Sequence, residues 1–285
     1  VPDRDTPLDW SGYLNWPELK AMQDSGSFEI QSHGTGHTRC FADRHLRGFV
    51  SPDHPNLWLL WNGQPETRTR WWKDLPTNTA LLGHPVFTQR PALVTQAYRP
   101  DEGAVRAILQ WVRDQGASFF TEAQWNRKLQ EQWTSLDRGG QCETGAAYEA
   151  RVKDDLASAR QTLESALNRP VRFLCWPENA CTAATEDMAH ECGYDATLSN
   201  GHATLNRVGQ CSDRIGRTFV GSSILGQVLP GFDTCRFALQ VRVFEGAYIL
   251  YPFLVLVSRA DAAAQWLKRP RDPQPNYWSS WGQWT

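Results

Sequence analysis

Two histidines four positions apart, His33 and His37 in the stretch HGTGH, are the residues of this chain best suited to metal chemistry. Imidazoles at i and i+4 converge on one side of a turn, and neutral ring nitrogens are good ligands for zinc and similar divalent ions. Gly34 and Gly36 let the backbone bend between them. A catalytic zinc ordinarily takes three protein ligands, so the pair needs a third, and a carboxylate is the usual supplement. The same spacing also describes two surface histidines on a glycine loop, and by itself it does not separate the readings. A second stretch, Trp176-Pro177-Glu178, comes directly after the apolar run VRFLC (171–175) and puts a carboxylate at its end. The one Asp-Asp pair, Asp154-Asp155, falls within a strongly periodic helix and reads as a solvated face. No catalytic carboxylate is assignable from the sequence.

These groups need elements to position them. NWPELKAMQDSG (15–26) reads as a helix: Asn15 caps it, Pro17 suits its first turn, Glu18 has capping-box spacing and Gly26 suits the exit. SFEIQS (27–32) reads as a short strand, which places His33 at its C-terminal end. Residues 40–91, rich in Pro, Asn, Asp, Gly and Trp, read as a long loop excursion of the kind that carries recognition. ALVTQAY (92–98) reads as a strand and PDEGAVRAILQWVRDQG (100–116) as a helix, with Val105, Ile108, Leu109 and Val112 on one face. SFF (118–120) reads as a strand, and Thr121 as the cap of a helix presenting Trp125, Leu129 and Trp133. A long helix over 146–168 carries the stripe Tyr148, Val152, Leu156, Ala159, Leu163 and Leu167. Strand 171–175, helix 182–193 and strand 194–199 come next. Strands separated by single helices imply a parallel sheet, an α/β layer or barrel in which functional groups gather at strand C-termini.

Composition excludes some classes. A net charge of −2 provides no basic field for nucleic acid. The apolar run AYILYPFLVLV (247–257) is too short to span a bilayer and reads as one or two buried strands. The seven cysteines form no C-x-x-C pair, which argues against a zinc ribbon or a thioredoxin-type site, and their odd number leaves at least one unpaired within the chain. Of the 14 tryptophans, those in WLLW (58–61), WW (71–72) and NYWSSWGQW (276–284) sit in polar, turn-rich contexts and are candidates for stacking on sugar rings. The expected organisation is a domain over 1–269 and a Pro/Trp-rich tail or linker over 270–285. The start at Val1 reads as a processed or truncated product.

In order and spacing, NWPELKAMQDSGSFEIQSHGTGH (15–37) resembles the second motif region of the polysaccharide deacetylases, carbohydrate esterase family four. Within that family it is most similar to the branch that N-deacetylates poly-β-1,6-N-acetylglucosamine. YEARVKDDLASARQTLESALNRPVRFLCWPENACTAATEDMAHECGYDATLS (148–199) resembles the third motif region, and RIGRTFVGSSI (214–224) the strand after it. The resemblance implies a distorted (β/α) barrel, incomplete at its N-terminus, binding zinc or a similar divalent ion. It implies His33 and His37 as metal ligands, and Trp176, Pro177 and Glu178 as substrate-binding residues, with the Glu178 backbone N–H in the oxyanion site. In the family a metal polarises the acetamide carbonyl and a carboxylate activates water. The family's Asp-Asp motif has no match here, and Asp3, Asp5, Asp9 and Asp43 are the possible substitutes; Glu178-Asn179 replaces its Tyr-Gly; its late histidine, the general acid, has no clear counterpart, with His202 in SNGHATLN the candidate. The implied activity is a metal-dependent N-deacetylase of an N-acetylated hexosamine polymer, as a fragment or divergent member. The implied location is the periplasm or the exterior. The alternative is a catalytically inactive carbohydrate-binding domain on the same fold. A glycoside hydrolase using Glu178 is a third reading, and it lacks a nameable second carboxylate.

Overall fold

Helix α1 (Trp16–Asp24) begins where its capping residues place it: the Asn15 side chain accepts the Glu18 N–H at 2.8 Å, and Glu18 returns the bond to the Asn15 N–H at 2.8 Å. The computed structural model describes residues 14–54, 56–63, 79–116, 118–137, 139–199, 209, 213–216, 237–243, 246–256 and 259. The chain divides into two units, Val1–Tyr194 and Asp195–Thr285.

In the first unit, β1 (Arg39–Phe49) pairs antiparallel with β2 (Pro85–Pro91), from Arg39 opposite Pro91 to Phe49 opposite Pro85. Helix α2 (Leu57–Gly63) lies between them in sequence. The region expected as loop excursion therefore contains an antiparallel pair. Its register shifts between Phe41 and Leu46 and again before Gly48. Such irregularity breaks the two-residue alternation by which strands are read from sequence. Strand β3 (Tyr98–Arg99) pairs antiparallel with β4 (Gln141–Cys142). Helices α3 (Glu102–Gln115) and α4 (Trp125–Leu136) bury Ile108, Val112, Leu129 and Trp133 in one core with Phe41, Phe49, Phe87, Tyr98 and Phe119. Full burial of each large apolar side chain contributes roughly 1.5–3 kcal/mol.

Helix α5 (Gly145–Leu167) is capped by Thr144 and ends on Asn168 in the left-handed region (φ 50°). It buries Val152 and Leu156 in a second core with Leu93, Val171, Leu174, Trp176, Met188, Ala189 and Tyr194. Around this core lie β5 (Phe173–Cys175) and α6 (Ala183–Glu191), the latter capped by Thr182. In the second unit β6 (Ala196–Ser199) runs parallel to β7 (Arg214–Gly216), with Leu198 opposite Ile215.

Several expected elements take other forms. SFEIQS is not a strand: only Ser32 forms a bridge, parallel to Leu174. The Gln31 side-chain oxygen accepts the N–H groups of Arg172 (3.0 Å) and Phe173 (2.8 Å), standing in for a backbone partner. ALVTQAY is a 3₁₀ turn (Ala92–Val94) that leads into β3. Its carbonyls are taken by α5 side chains instead of a neighbouring strand: Arg151 bonds the oxygens of Ala92 and Thr95, and Tyr148 bonds that of Leu93. SFF belongs to a 3₁₀ turn over Phe119–Thr121. Thr121 does not cap α4; its hydroxyl donates back to the Ser118 carbonyl at 2.7 Å. Residues 248–256 are helical, not buried strands, and expose Ile249 (84%) and Leu256 (68%). The fold mixes helices with parallel and antiparallel strand pairs, and the described residues do not close a barrel. Asp3, Asp5, Asp9, Trp71, Trp72, His202 and the 270–285 segment lie outside the described residues.

Candidate functional site

The parallel bridge between Ser32 and Leu174 sets two chain segments side by side, pointing the same way. His33 continues the first segment and Trp176-Pro177-Glu178 the second, so all four residues emerge at one end. His33 Nδ1 lies 2.7 Å from the Cys175 carbonyl oxygen. A carbonyl only accepts, so in the neutral ring Nδ1 carries the proton and Nε2 presents its lone pair. The loop brings the His37 ring to 5.1 Å from that of His33, centroid to centroid, at 60°. His33 is exposed and His37 half-buried.

The loop's shape has a visible cause. Gly34 sits at φ 76° and His37 at φ 42°, both left-handed. Asp155 of α5 accepts the Thr35 N–H at 2.9 Å, the Thr35 hydroxyl donates to the Asp155 carbonyl at 2.8 Å, and the adjacent Gly36 N–H adds its electrostatic pull on the carboxylate. A Cβ added to Gly34 would stand 3.1 Å from the Asp155 carboxylate, so the loop lies directly on it. Burial raises the Asp155 pKa, against the lowering pull of the two N–H groups. The solvated-face reading of the pair thus holds for exposed Asp154 and fails for Asp155. Beneath the loop, the Tyr194 hydroxyl lies 2.9 Å from Ser32 Oγ and 3.0 Å from the Leu156 carbonyl oxygen, and burial pushes its phenol pKa up to about 12.

Glu178 and Asn179 occupy the left-handed region in succession, at φ 54° and 58°. The turn's own hydrogen bonds run from the N–H groups of Asn179 and Ala180 to the carbonyls of Trp176 and Pro177. The Glu178 side chain turns away from solvent into a two-pronged ion pair with Arg39: Nε to Oε1 at 2.9 Å and Nη2 to Oε2. The two side chains are 9% and 10% exposed. With both oxygens committed to a buried guanidinium, Glu178 is not placed to serve as a glycosidase carboxylate. The Arg39 guanidinium also lies 5.6 Å from the centre of the Trp58 ring, and the His37 ring is parallel to Trp58 within 7° at 6.2 Å. Trp61 is a core residue (8% exposed), so of the WLLW pair Trp58 alone remains a stacking candidate. Trp176 is fully buried, and its indole nitrogen has no hydrogen-bond partner among the described residues.

The structure therefore gathers five sequence-predicted residues, His33, His37, Trp176, Pro177 and Glu178, at one end of the Ser32–Leu174 bridge. It adds Arg39, Trp58 and Asp155. Asp43 is exposed on β1 and accepts the His45 N–H at 2.7 Å. Among the described residues no three His, Cys, Asp or Glu side chains are grouped so as to hold a metal ion. A cavity of about 440 Å³ also reaches Arg39 and is lined by His84, Gln89, Asn62 and Arg106 among others. These four side chains are already engaged: His84 Nδ1 with the Pro85 carbonyl, Gln89 with Asn56, Asn62 with the Arg39 carbonyl and Arg106 with Glu102. The described cysteines, Cys40, Cys142, Cys175, Cys181 and Cys192, are not joined in disulfides. No described helix is long and apolar enough to cross a membrane.

No protein-family model matches the chain, and no curated protein matches it. Among solved structures it is similar to a de-N-acetylase from Aggregatibacter actinomycetemcomitans, at 15% identity and a TM-score of 0.40, over 76% of this chain and 52% of that one. It is also similar to the BpsB deacetylase domain from Bordetella bronchiseptica, at 17% identity and a TM-score of 0.39, with the same shares of 76% and 52%. The chain spans about half the length of each of these two solved chains.

Proposed function

We propose that this chain is a divergent member, or a part, of a metal-dependent N-deacetylase acting on an N-acetylated hexosamine polymer outside the cytoplasm. The observation that carries the reading is the His33–His37 pair: two rings 5.1 Å apart, one with Nδ1 tied to a carbonyl. That arrangement fits a divalent cation, because the hydrogen bond at Nδ1 fixes the tautomer and directs Nε2 outward as a ligand. His33 and His37 would hold the zinc, which would supply Lewis acidity toward the acetamide carbonyl. The Glu178 N–H, held in a left-handed turn beside the pair, is the proposed donor to the oxyanion. Trp58, half-buried beside the pair, is the proposed stacking residue for a sugar ring. A carboxylate is still needed as third ligand and as base, and Asp3, Asp5 and Asp9 are the candidates outside the described residues.

The second reading, a catalytically silent carbohydrate-binding domain, is favoured by the commitment of both nearby carboxylates, Glu178 to Arg39 and Asp155 to the loop. Calorimetric titration with zinc and an acetate-release assay on partially N-acetylated glucosamine oligomers separate the two. Weak zinc binding that disappears in His33→Ala is the expected result, because two imidazoles leave the ion one protein ligand short. Chelator-sensitive acetate release, equally lost in His33→Ala, marks an enzyme. Oligomer binding without release marks the silent domain. Zinc binding that is indifferent to both histidines refutes the metal site.

A further inference from the structure

We propose that Asp155 is the positioning residue of the histidine loop: it clasps Thr35 at the loop's midpoint from both its carboxylate and its carbonyl, and so holds the His33 and His37 rings at a spacing one cation can bridge. The inference rests on the metal reading above for its purpose, though not for its geometry. Three contacts converge on one acidic residue. The Thr35 N–H reaches Asp155 Oδ1 at 2.9 Å, the Thr35 hydroxyl reaches the Asp155 carbonyl at 2.8 Å, and Gly34 has no room for a Cβ without crowding Oδ1. A five-residue loop with glycines at its second and fourth positions has little side-chain packing to fix its path beyond the His37 ring against Trp58. Each glycine widens the set of accessible backbone conformations. A single residue that binds both the N–H and the hydroxyl of Thr35 removes that freedom at the loop's midpoint. The acceptor is itself rigid: it stands on α5 between Val152 and Leu156, both fully buried. The neighbouring histidine is fixed independently by the Cys175 carbonyl, so Asp155 acts chiefly on where His37 lies relative to His33.

Groups that act on a metal through its ligands shift affinity by about 10- to 100-fold when removed. Asp155→Ala should therefore weaken zinc binding by about that factor. Asp155→Asn keeps one acceptor oxygen and should lose less than about 10-fold; it also covers the case in which the alanine variant does not fold. Asp154→Ala, at the exposed neighbouring position, should change nothing. The second readout is amide hydrogen exchange of residues 34–37 in metal-free protein. Exchange should speed up about 10-fold or more in Asp155→Ala while the amides of β5 and α6 keep their protection. A merely structural role would loosen all of these together and would not single out the loop. Unchanged loop exchange and unchanged zinc affinity in Asp155→Ala overturn the proposal. If the wild-type chain binds no zinc, the functional reading fails on its own, and the exchange measurement alone decides whether Asp155 orders the loop.

Discussion

Replacing Arg39 by methionine tests the buried ion pair that locks the Glu178 turn. The two side chains are 9% and 10% exposed, and both carboxylate oxygens are bonded to one guanidinium. At an effective dielectric of about 20, unit charges about 4 Å apart attract by roughly 4 kcal/mol. Removing one partner also strands the other charge away from water, and measured losses for that situation are about 3–5 kcal/mol. Methionine keeps an aliphatic stem of similar length and removes the guanidinium, which also lies 5.6 Å from the Trp58 ring centre, so the loss is chiefly electrostatic. The turn should relax as well, because a non-glycine residue at φ 54° costs about 1–2 kcal/mol and persists only where its surroundings over-determine it. Glu178→Met costs nothing extra at that φ, since neither residue is β-branched. The double variant Arg39→Met/Glu178→Met should recover most of the stability of the parent, because buried pairs exchanged for apolar groups are commonly neutral. Urea unfolding followed by tryptophan fluorescence, run on all four proteins at low salt and at 1 M salt, gives the coupling energy. We expect about 3 kcal/mol or more, nearly insensitive to salt. A coupling under about 1 kcal/mol that fades with salt is what an exposed pair gives, and would refute the reasoning.

Glu143 and Arg151 make an acid-sensitive clasp: hydrogen bonds from the Arg151 guanidinium hold the Glu143 carboxyl below its ordinary value of 4.5. A depressed folded pKa contributes stability that is fully present above the unfolded value and lost as pH falls through the folded one. Thermal melts below pH 4.5 should therefore drop less steeply with acid in Glu143→Gln than in the parent; identical acid limbs would count against the clasp. Burial pushes the Cys40 thiol up to about 11, so at pH 8 only about one molecule in a thousand carries the thiolate. Iodoacetamide should label exposed Cys142 well before Cys40, as read by peptide mass spectrometry, and equal labelling rates would contradict the burial of Cys40.

The helices were legible because their signals are local. The Asn15/Glu18 box and the Val152–Leu156–Ala159 stripe both appear as anticipated. So was the pairing of His33 with His37, four residues apart, and the emergence of both apolar runs at one end. What the sequence hid is non-local. Arg39 meets Glu178 across 139 positions, and Asp155 meets Thr35 across 120. Nothing in the spacing of such residues announces a contact. One signal was nevertheless present: Asp155 stands three residues after Val152 and four before Ala159, on the apolar stripe, whereas Asp154 falls off it. A charge on a buried stripe needs a partner. Strands β1 and β2 escaped for a different reason. Their displaced register interrupts alternation, and charged residues such as Asp43 and Arg44 sit in the displaced stretch.

Helix α5 also limits how the length of this chain can vary. Arg151 holds the 92–95 turn, Asp155 holds the histidine loop, and Arg160 holds the Cys192 carbonyl next to Gly193, all from one rod. A helix turns about 100° per residue, so one residue inserted between Asp155 and Arg160 would swing every later side chain by more than a quarter-turn. The first two attachments would survive while the third faced solvent. Insertions of one or two residues are therefore costly anywhere between Arg151 and Arg160. An added seven residues, close to two full turns, would restore the facing but carry Arg160 about 10 Å along the axis, past its carbonyl. The three attachments fix both the phase and the length of this stretch.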